Sequence, residues 1–338
     1  MRFPRHLVTV TDKRVRMRIF RHIEDQNLSC LESVVTVGNF DGIHVGHQAL
    51  IMHTVEEAKQ RGCESIILTF HPHPLRVLAP ERAPRLILSY DDKMALFESL
   101  GVDLVIAQTF DSEFARIGAD DFVRTLLVAR LKTKKLWVGR DLRFGRDRKG
   151  KVDDLFRLAS ENDFEVGVLD PILVEGARVS SSRIRRLVDE GHVDQVRPLL
   201  GRFHFVSGSV VRGHRRGREL GFPTANIASQ TELLPPDGIY ATLFQVKNKQ
   251  RLSVSSIGVN PTFGEGLRTV ESFILDFDND IYGEPVKLAF VKRIREEKAF
   301  AAVDDLIKQI HEDVKAARAI FKDVRVTESD TPSNAPSL

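Results

Sequence analysis

Cysteine is almost absent from this chain. Cys30 and Cys63, the two in 338 residues, form neither a metal-ligand spacing nor a disulfide framework. That excludes a stapled secreted module and points to a reducing cytoplasm. No apolar run reaches membrane-spanning length, so no membrane partner is expected. The opening segment, Met1 to Arg18, has no apolar h-region and does not read as a secretory signal. It is rich in arginine, as transit peptides are, and Met17 is an equally good working start, which leaves 1–16 as an extension. Excess charge of one sign is also missing: 50 basic residues face 47 acidic ones, a formal net charge of +3. A dedicated nucleic-acid binder is usually more lopsided. There is no internal repeat, and the one biased segment is the polar tail 324–338, which reads as disordered. What remains is ordinary for a soluble globular protein, 42% hydrophobic and 29% charged, with enough chain for two domains and sizeable cores.

The first domain, 17–200, alternates strand and helix signals. Strands are expected at 34–37, 65–70, 104–107, 136–138 and 164–169. Helical spacing runs through Leu50, Ile51, Thr54, Val55 and Ala58, with Gly62 where a C′ glycine belongs. Ser89 and Asp92 form an acidic capping box for a helix carrying Met94, Phe97 and Leu100. Further helices are expected at 120–131, 152–162, 181–190 and 193–200. This alternation argues for a parallel, doubly wound sheet, in which ligands bind beyond the carboxyl ends of the strands. The loops after Val37, Phe70 and Val138 would share that edge. From Phe203 the texture changes to strand and turn, at 203–211, 239–246, 252–259, 270–277 and 286–292, separated by turns such as Pro235-Pro236-Asp237-Gly238 and Asn260-Pro261. That predicts a small antiparallel barrel within 203–323. A long helix follows, with Val303, Leu306, Ile307, Ile310, Val314, Ala317 and Phe321 on one face.

Chemistry concentrates in a few strings. The strand Val34–Val37 ends in Gly38-Asn39-Phe40-Asp41-Gly42-Ile43-His44-Val45-Gly46-His47, where two histidines open a helix whose start can receive an anion. Imidazole and backbone donors there suit the charge that develops on an attacked α-phosphate, so a nucleoside triphosphate is expected. The plain alternative is two exposed loop histidines. In Arg178-Val179-Ser180-Ser181-Ser182-Arg183-Ile184-Arg185-Arg186, three hydroxyls precede a helix, and Arg178 and Arg185 are suited to grip phosphate bidentately. A capped basic surface helix would look the same. The string from Val210 to Asn226 contains Gly213, Arg218, Gly221, Phe222 and Pro223. Its Thr224 and Asn226 offer oxygens to Mg²⁺, which keeps waters and takes few protein ligands. Its alternative is a basic loop that binds RNA or nothing. Glu271, in Thr269–Leu275, is a candidate general base or an outward strand residue, and Arg295–Phe300 reads alone as a solvated charge run. Two strings are set aside. Gly145–Val152 nearly fits a P-loop but has Val152 where the Mg²⁺-binding hydroxyl belongs. His71-Pro72-His73-Pro74 has no further ligands to make a metal site.

Taken together, these strings resemble the bifunctional bacterial riboflavin kinase/FAD synthetase family, from about Val34 to Phe321. The Gly38–His47 string looks like its adenylyltransferase signature, residues 178–185 like that module's second phosphate motif, and Gly221–Asn226 like the riboflavin kinase hallmark. The resemblance implies a Rossmann-like α/β nucleotidyltransferase domain followed by an antiparallel β-barrel kinase domain with a C-terminal helix. It implies that riboflavin and ATP give FMN, that FMN and a second ATP give FAD and pyrophosphate, and that both steps use Mg²⁺. By position, His44 and His47 would stabilise the adenylyl transition state. Gly38, Asn39, Phe40, Asp41, Gly46, Asp141, Arg178, Ser181, Ser182 and Arg185 would hold that ATP. Gly213, Arg218, Gly221, Thr224 and Asn226 would hold the kinase Mg-ATP, with Glu271 as base. Phe222, Arg295, Glu297 and Phe300 would lie beside the flavin. The chain departs from the family pattern at His71, where an acid is usual, at Leu142, where phenylalanine is usual, and at Arg140, which adds a charge. Two other readings are a chain that acts mainly as riboflavin kinase, and a regulator binding nucleic acid through Arg212–Arg218 and Arg183–Arg186. The second lacks the interleaved aromatic residues of single-strand binders. Small-molecule substrates are the expected partners.

Overall fold

The computed structural model describes residues 16–213, 217, 220–247, 249–259 and 268–324. Six parallel strands form the first sheet: β1 (Arg18–Phe20), β2 (Ser33–Val37), β3 (Glu64–His71), β4 (Leu104–Thr109), β5 (Thr133–Gly139) and β6 (Glu165–Leu169), in the order β1-β4-β3-β2-β5-β6. Their helices are α1 (Val45–Arg61), α2 (Pro74–Leu78), α3 (Tyr90–Ser99), α4 (Ala119–Asp121), α5 (Val152–Asn162), α6 (Ser181–Asp189) and α7 (Arg197–Leu200). The buried strands read as continuous apolar runs because both faces are covered. Along β3 the two-residue period sends Ile66 and Leu68 into one core with Leu136, Leu127 and Leu155. Ile67 faces the other core, with Leu50, Ile51, Met94 and Phe97.

A two-stranded antiparallel ribbon follows the sheet, β7 (Leu173–Val174) and β8 (Ala177–Arg178). The second architecture is a closed barrel of β9 (His204–Val211), β10 (Thr224–Ser229), β11 (Gly238–Val246), β12 (Lys249–Val259), β13 (Arg268–Ile274) and β14 (Pro285–Arg295), ordered β10-β13-β12-β11-β14-β9. Every adjacent pair is antiparallel. Val206, Phe244, Ile257, Val270 and Leu288 fill it. A chain of buried hydroxyls, Thr242 to Ser255 at 2.6 Å and Ser255 to Ser272 at 2.9 Å, satisfies its polar interior positions. The last helix is α8 (Val303–Asp323).

The two parts share a core. The cluster on the α1/α3 side of the sheet continues through Phe203, Phe205, Leu243, Ala289 and Val291 of the barrel to Ile320 and Phe321 of α8. Within it sits a polar node. Asp92 caps α3 with Ser89, whose hydroxyl donates to its carboxylate at 2.6 Å. The same carboxylate accepts from Ser207 Oγ on β9 and pairs with Lys287 Nζ on β14 at 3.2 Å.

The α/β-plus-barrel fold and its trailing helix match the sequence expectation, with local differences. Residues 18–20 and 224–229 are strands that the sequence did not announce. The helix expected at 120–131 passes at Phe122–Arg130 into π-helical geometry, with Leu131 N–H reaching the Leu126 carbonyl. In α8 the buried centre is Asp313 and Ala317, while Val303 is 57% exposed. Leu306, Ile307, Ile310, Val314 and Phe321 are partly buried on the same side, as expected, and the Asp313 ion pair with Arg295 joins that face. Asn260-Pro261 and the tail 325–338 lie outside the described residues.

Candidate functional site

The β2–α1 turn uses backbone few residues tolerate. Phe40 and Ile43 take positive φ, 49° and 38°, and so does Gly42 at 83°. A Cβ on Gly42 would lie 2.9 Å from Ile87, so glycine is required by space as well as by conformation. The turn delivers His44 to the N-cap of α1, where its Nδ1 accepts from His47 N–H at 3.2 Å. That bond assigns the neutral His44 proton to Nε2. The His47 ring stacks on His44 at 3.6 Å between centroids and 15° between planes. Phe40 meets His47 edge-on at 5.3 Å. Gly46 makes room, since a Cβ there would sit 3.2 Å from the His44 ring. Burial pushes His44 down to about 4, with the Arg178 and Arg202 charges adding. Burial, then the His44 and Lys93 charges, hold His47 well below its ordinary value. Both rings are neutral at pH 7. Among the described residues, His47 Nδ1 is buried with no hydrogen-bond partner.

The start of α6 faces this turn. Ser180 is its N-cap, accepting from Arg183 N–H at 3.2 Å. Ser181 Oγ donates to the Asp41 carbonyl at 2.9 Å. The buried Asp41 carboxylate accepts from Ile87 N–H at 3.0 Å and from the Arg185 guanidinium. Asp41 therefore ties the two helix starts together. Arg178 donates to Asp141 at the mouth of the site. Burial pushes the Asp141 carboxyl up, but the Arg178 bond and charge outweigh it and hold it below the usual range. Asn39 Nδ2 lies 3.3 Å from His73 Nε2, and the ring of Phe40 backs Gly38. Ser182 is exposed at the helix start. His71 closes β3, and His73 caps α2 by accepting from Leu75 N–H at 3.2 Å. Among the described residues, no group of three or more His, Cys, Asp or Glu is placed to hold a metal. The Gly145–Val152 string closes a compact loop through a bridge between Phe144 and Gly150.

On the barrel, register sets Asn226 opposite Glu271 and Thr224 opposite Phe273. Thr224 Oγ1 lies 3.4 Å from Glu271 Oε2. Burial alternates along β13, with Val270, Ser272 and Ile274 inside, so Glu271 and Phe273 face outward. A Cβ on Gly213 would lie 2.3 Å from the Asn226 amide nitrogen. Gly221 takes φ of 85° at the turn before Phe222. Phe222 is buried, edge-on to Phe273 at 5.4 Å and to His311 at 5.1 Å. Burial raises the Glu297 carboxyl, and the Asp237 and Glu271 charges raise it further despite Arg295. Arg295 is bidentate to Asp313 at 2.8 and 2.7 Å and lies 5.9 Å from the Phe300 ring. Arg218 lies outside the described residues.

The sequence profile of the FAD synthetase family matches residues 27–183, and that of riboflavin kinase matches 200–321. A bifunctional riboflavin kinase/FMN adenylyltransferase of Listeria monocytogenes is 36% identical over 294 residues, covering 86% of this chain and 93% of that protein. The chain belongs to the bifunctional riboflavin kinase/FMN adenylyltransferase family. The Escherichia coli K12 protein of the same name is 34% identical, covering 90% of this chain and 98% of its own length. A solved structure from Streptococcus pneumoniae, described as a macrolide-efflux protein, superposes with a TM-score of 0.81 at 30% identity, covering 90% of this chain and 99% of that one. The efflux description is that protein's own. Among the described residues of this chain, no helix is long and apolar enough to cross a membrane.

Within this family member, several residues that shape the sites carry no sequence signal. Arg202, between the two parts, is buried and donates to the carbonyls of Gly42 at 2.7 Å and of Ile43 and Leu200 at 3.2 Å each. Burial pushes it down to about 10, with the Asp92 charge pulling the other way. Asp313 and Lys93 were equally unannounced. Each is a single charged residue in a helix, and its role comes only from what the fold sets against it.

Proposed function

We propose that this chain makes FAD from riboflavin in two steps, one in the α/β part (17–200) and one in the barrel with α8 (203–323). In the barrel, the riboflavin 5′-hydroxyl attacks the γ-phosphate of ATP. Glu271 accepts the hydroxyl proton, the bond from the γ-phosphorus to the bridging oxygen breaks, and ADP leaves. Phe222, Glu297 and Phe300 border the flavin, while Arg295 shapes that border from its bond to Asp313. Gly213, Gly221 and Arg218 belong to the ATP loop. Mg²⁺ fits the donor set here: Thr224 and Asn226 are neutral oxygen donors two residues apart on one strand, beside Glu271, and Mg²⁺ completes its shell with water and phosphate. When bound, it neutralises charge on the transferring phosphates.

In the α/β part, a phosphate oxygen of FMN attacks the α-phosphate of a second ATP. The new P–O–P bond forms as the bond to the β-phosphate breaks, and pyrophosphate leaves with the electron pair. His44 Nε2–H and the N–H groups at the start of α1 donate to the non-bridging α-oxygens, where charge grows. Ser181, Ser182 and Arg185 of α6, and Arg178 from the strand before it, face the departing pyrophosphate. The observation that carries this reading is the stacked, neutral His44–His47 pair at the N-terminus of α1, opposite a second hydroxyl-rich helix start. Such a site supplies donors without a nucleophile, as direct transfer between phosphates requires. A cytoplasmic setting suits a chain whose Cys30 and Cys63 are both free thiols.

Incubation with riboflavin, ATP and Mg²⁺, followed by separation of the flavins, tests both steps. FAD is expected. FMN alone would leave only the kinase, and no flavin product would refute both assignments. His47→Ala should slow FAD formation on the order of 10²-fold and spare FMN formation. Equal loss of both would show that the two sites are not independent.

A further inference from the structure

Lys93 stands in the adenylyltransferase site with a charge that the protein does not neutralise. It follows Asp92 on α3. Its Nζ donates to the Asn39 carbonyl at 3.2 Å and to Thr69 Oγ1 at 3.1 Å. Both acceptors are neutral, and an ammonium has three donors. Among the described residues, no carboxylate lies within ion-pair distance of it. Asp41, the acid that shares its cavity, is already held by Arg185 and Ile87 N–H. Enclosing an unpaired cation is costly unless something anionic arrives. Burial pushes the Lys93 ammonium down to about 8, with the Asp41 charge only partly offsetting it.

A small cavity of about 40 Å³ opens beside Lys93, lined also by Asn39, Asp41, Phe70, His73 and Tyr90. It holds roughly three waters, the space of one tetrahedral anion. A wider cavity of about 270 Å³ shares His71, His73 and Tyr90 with it, so the anion's remaining molecule has somewhere to extend. Sheet order decides which anion this is. The strand order reverses between β2 and β5. Asp141, which follows β5, and Arg178 bonded to it lie on the β5 side. Lys93 and Thr69 lie on the β3 side, across the histidine pair. In-line displacement needs the attacking oxygen and the departing pyrophosphate on opposite faces of the α-phosphorus.

We propose that Lys93 binds the phosphate of FMN and presents one of its oxygens to the α-phosphate of ATP. This rests on reading the site as an adenylyltransferase. Lys93 moves no proton. It anchors the attacking group and, through Asn39, holds the turn that carries His44 and His47.

The test is steady-state FAD formation from supplied FMN and ATP by the full chain, its Lys93→Met variant and its Lys93→Arg variant. Riboflavin phosphorylation by the same preparations reports that each is folded. Loss of the ammonium should raise KM for FMN roughly 10- to 100-fold, with KM for ATP changed less than about twofold. Lys93→Arg should recover part of that loss. In the wild type, kcat/KM for FMN should fall as pH rises through about 8, and this limb should vanish in Lys93→Met and move up in Lys93→Arg. A rise in KM for ATP with FMN unaffected would overturn the proposal in favour of a nucleotide phosphate. Equal loss for both substrates with an unchanged pH limb would overturn it in favour of a purely structural pin. Failure of the wild type to form FAD would overturn the reading of the site itself, and Lys93 with it.

Discussion

Replacing Asp92 with alanine should loosen the chain where its two parts meet. The buried carboxylate serves three groups: the Ser89 hydroxyl, the Ser207 hydroxyl and Lys287 Nζ at 3.2 Å. Lys287 lies against the Phe205 ring, 5.3 Å from its centroid. Removing one partner of a buried pair costs about 3–5 kcal/mol, because the other charge stays behind. The lower end applies here, since 15% of the Lys287 side chain still reaches solvent. About 3 kcal/mol corresponds to a fall in Tm on the order of 6–10 °C. Thermal unfolding followed by circular dichroism gives that number. A double-mutant cycle of Asp92→Asn with Lys287→Met then isolates the cross-junction pair, for which about 1–3 kcal/mol of coupling is expected. Because Asp92 starts the turn that carries Lys93, FAD formation should suffer more than FMN formation. Additive single mutants, or a Tm drop under about 2 °C, would refute the view that this node joins the two parts.

Glu271→Gln should lower riboflavin phosphorylation on the order of 10²- to 10⁴-fold while FAD formation from supplied FMN persists; loss of the second step in flavin chromatography would count against the role given to Glu271. Acid should destabilise the chain through its buried neutral histidines. His44 and His204 are both pushed down to about 4 by burial, while their unfolded forms titrate near 6.5. Their stabilisation is therefore complete above about pH 6.5, falls as the unfolded state takes up protons, and is lost by about pH 4, at about 3 kcal/mol each. Urea midpoints measured from pH 7 to pH 4 should fall, and His204→Asn should flatten the decline; an undiminished slope in that variant would contradict the assignment.

Much of this architecture is legible in the sequence because its signals are local and agree with one another. The apolar run at Val34–Val37, the glycine at 62 and the Ser89–Asp92 cap each describe one element, and the element forms. The alternation of strand and helix followed by strand and turn separates sheet from barrel. What escaped is short or borrowed. β1 is three residues, Arg-Ile-Phe, too few to show a period. β10 reads Thr-Ala-Asn-Ile-Ala-Ser, small and polar, and becomes a strand because β9 and β13 offer it two edges to bridge. The π-helical stretch at 122–130 keeps a helical apolar pattern, so only the hydrogen bonds reveal it. Within the sites, the histidine pair is announced by its glycines and spacing. Arg295 is not announced in the same way: its charge-run context gives no hint that Asp313, 18 residues on, takes up its guanidinium. Lys93 and Arg202 are silent for the same reason.

The apolar cluster shared by sheet, barrel and last helix bears on how such a chain is inherited. Phe205, Leu243, Ala289 and Val291 occupy the barrel's outer surface and are dry only because α1, α3 and α8 cover them. A barrel living alone would expose this patch and would need polar substitutes there to stay dispersed. The wall of the barrel is thus written for a fused life. A recombinant exchange that swapped barrels between proteins would have to carry the matching surface of α3 along with it.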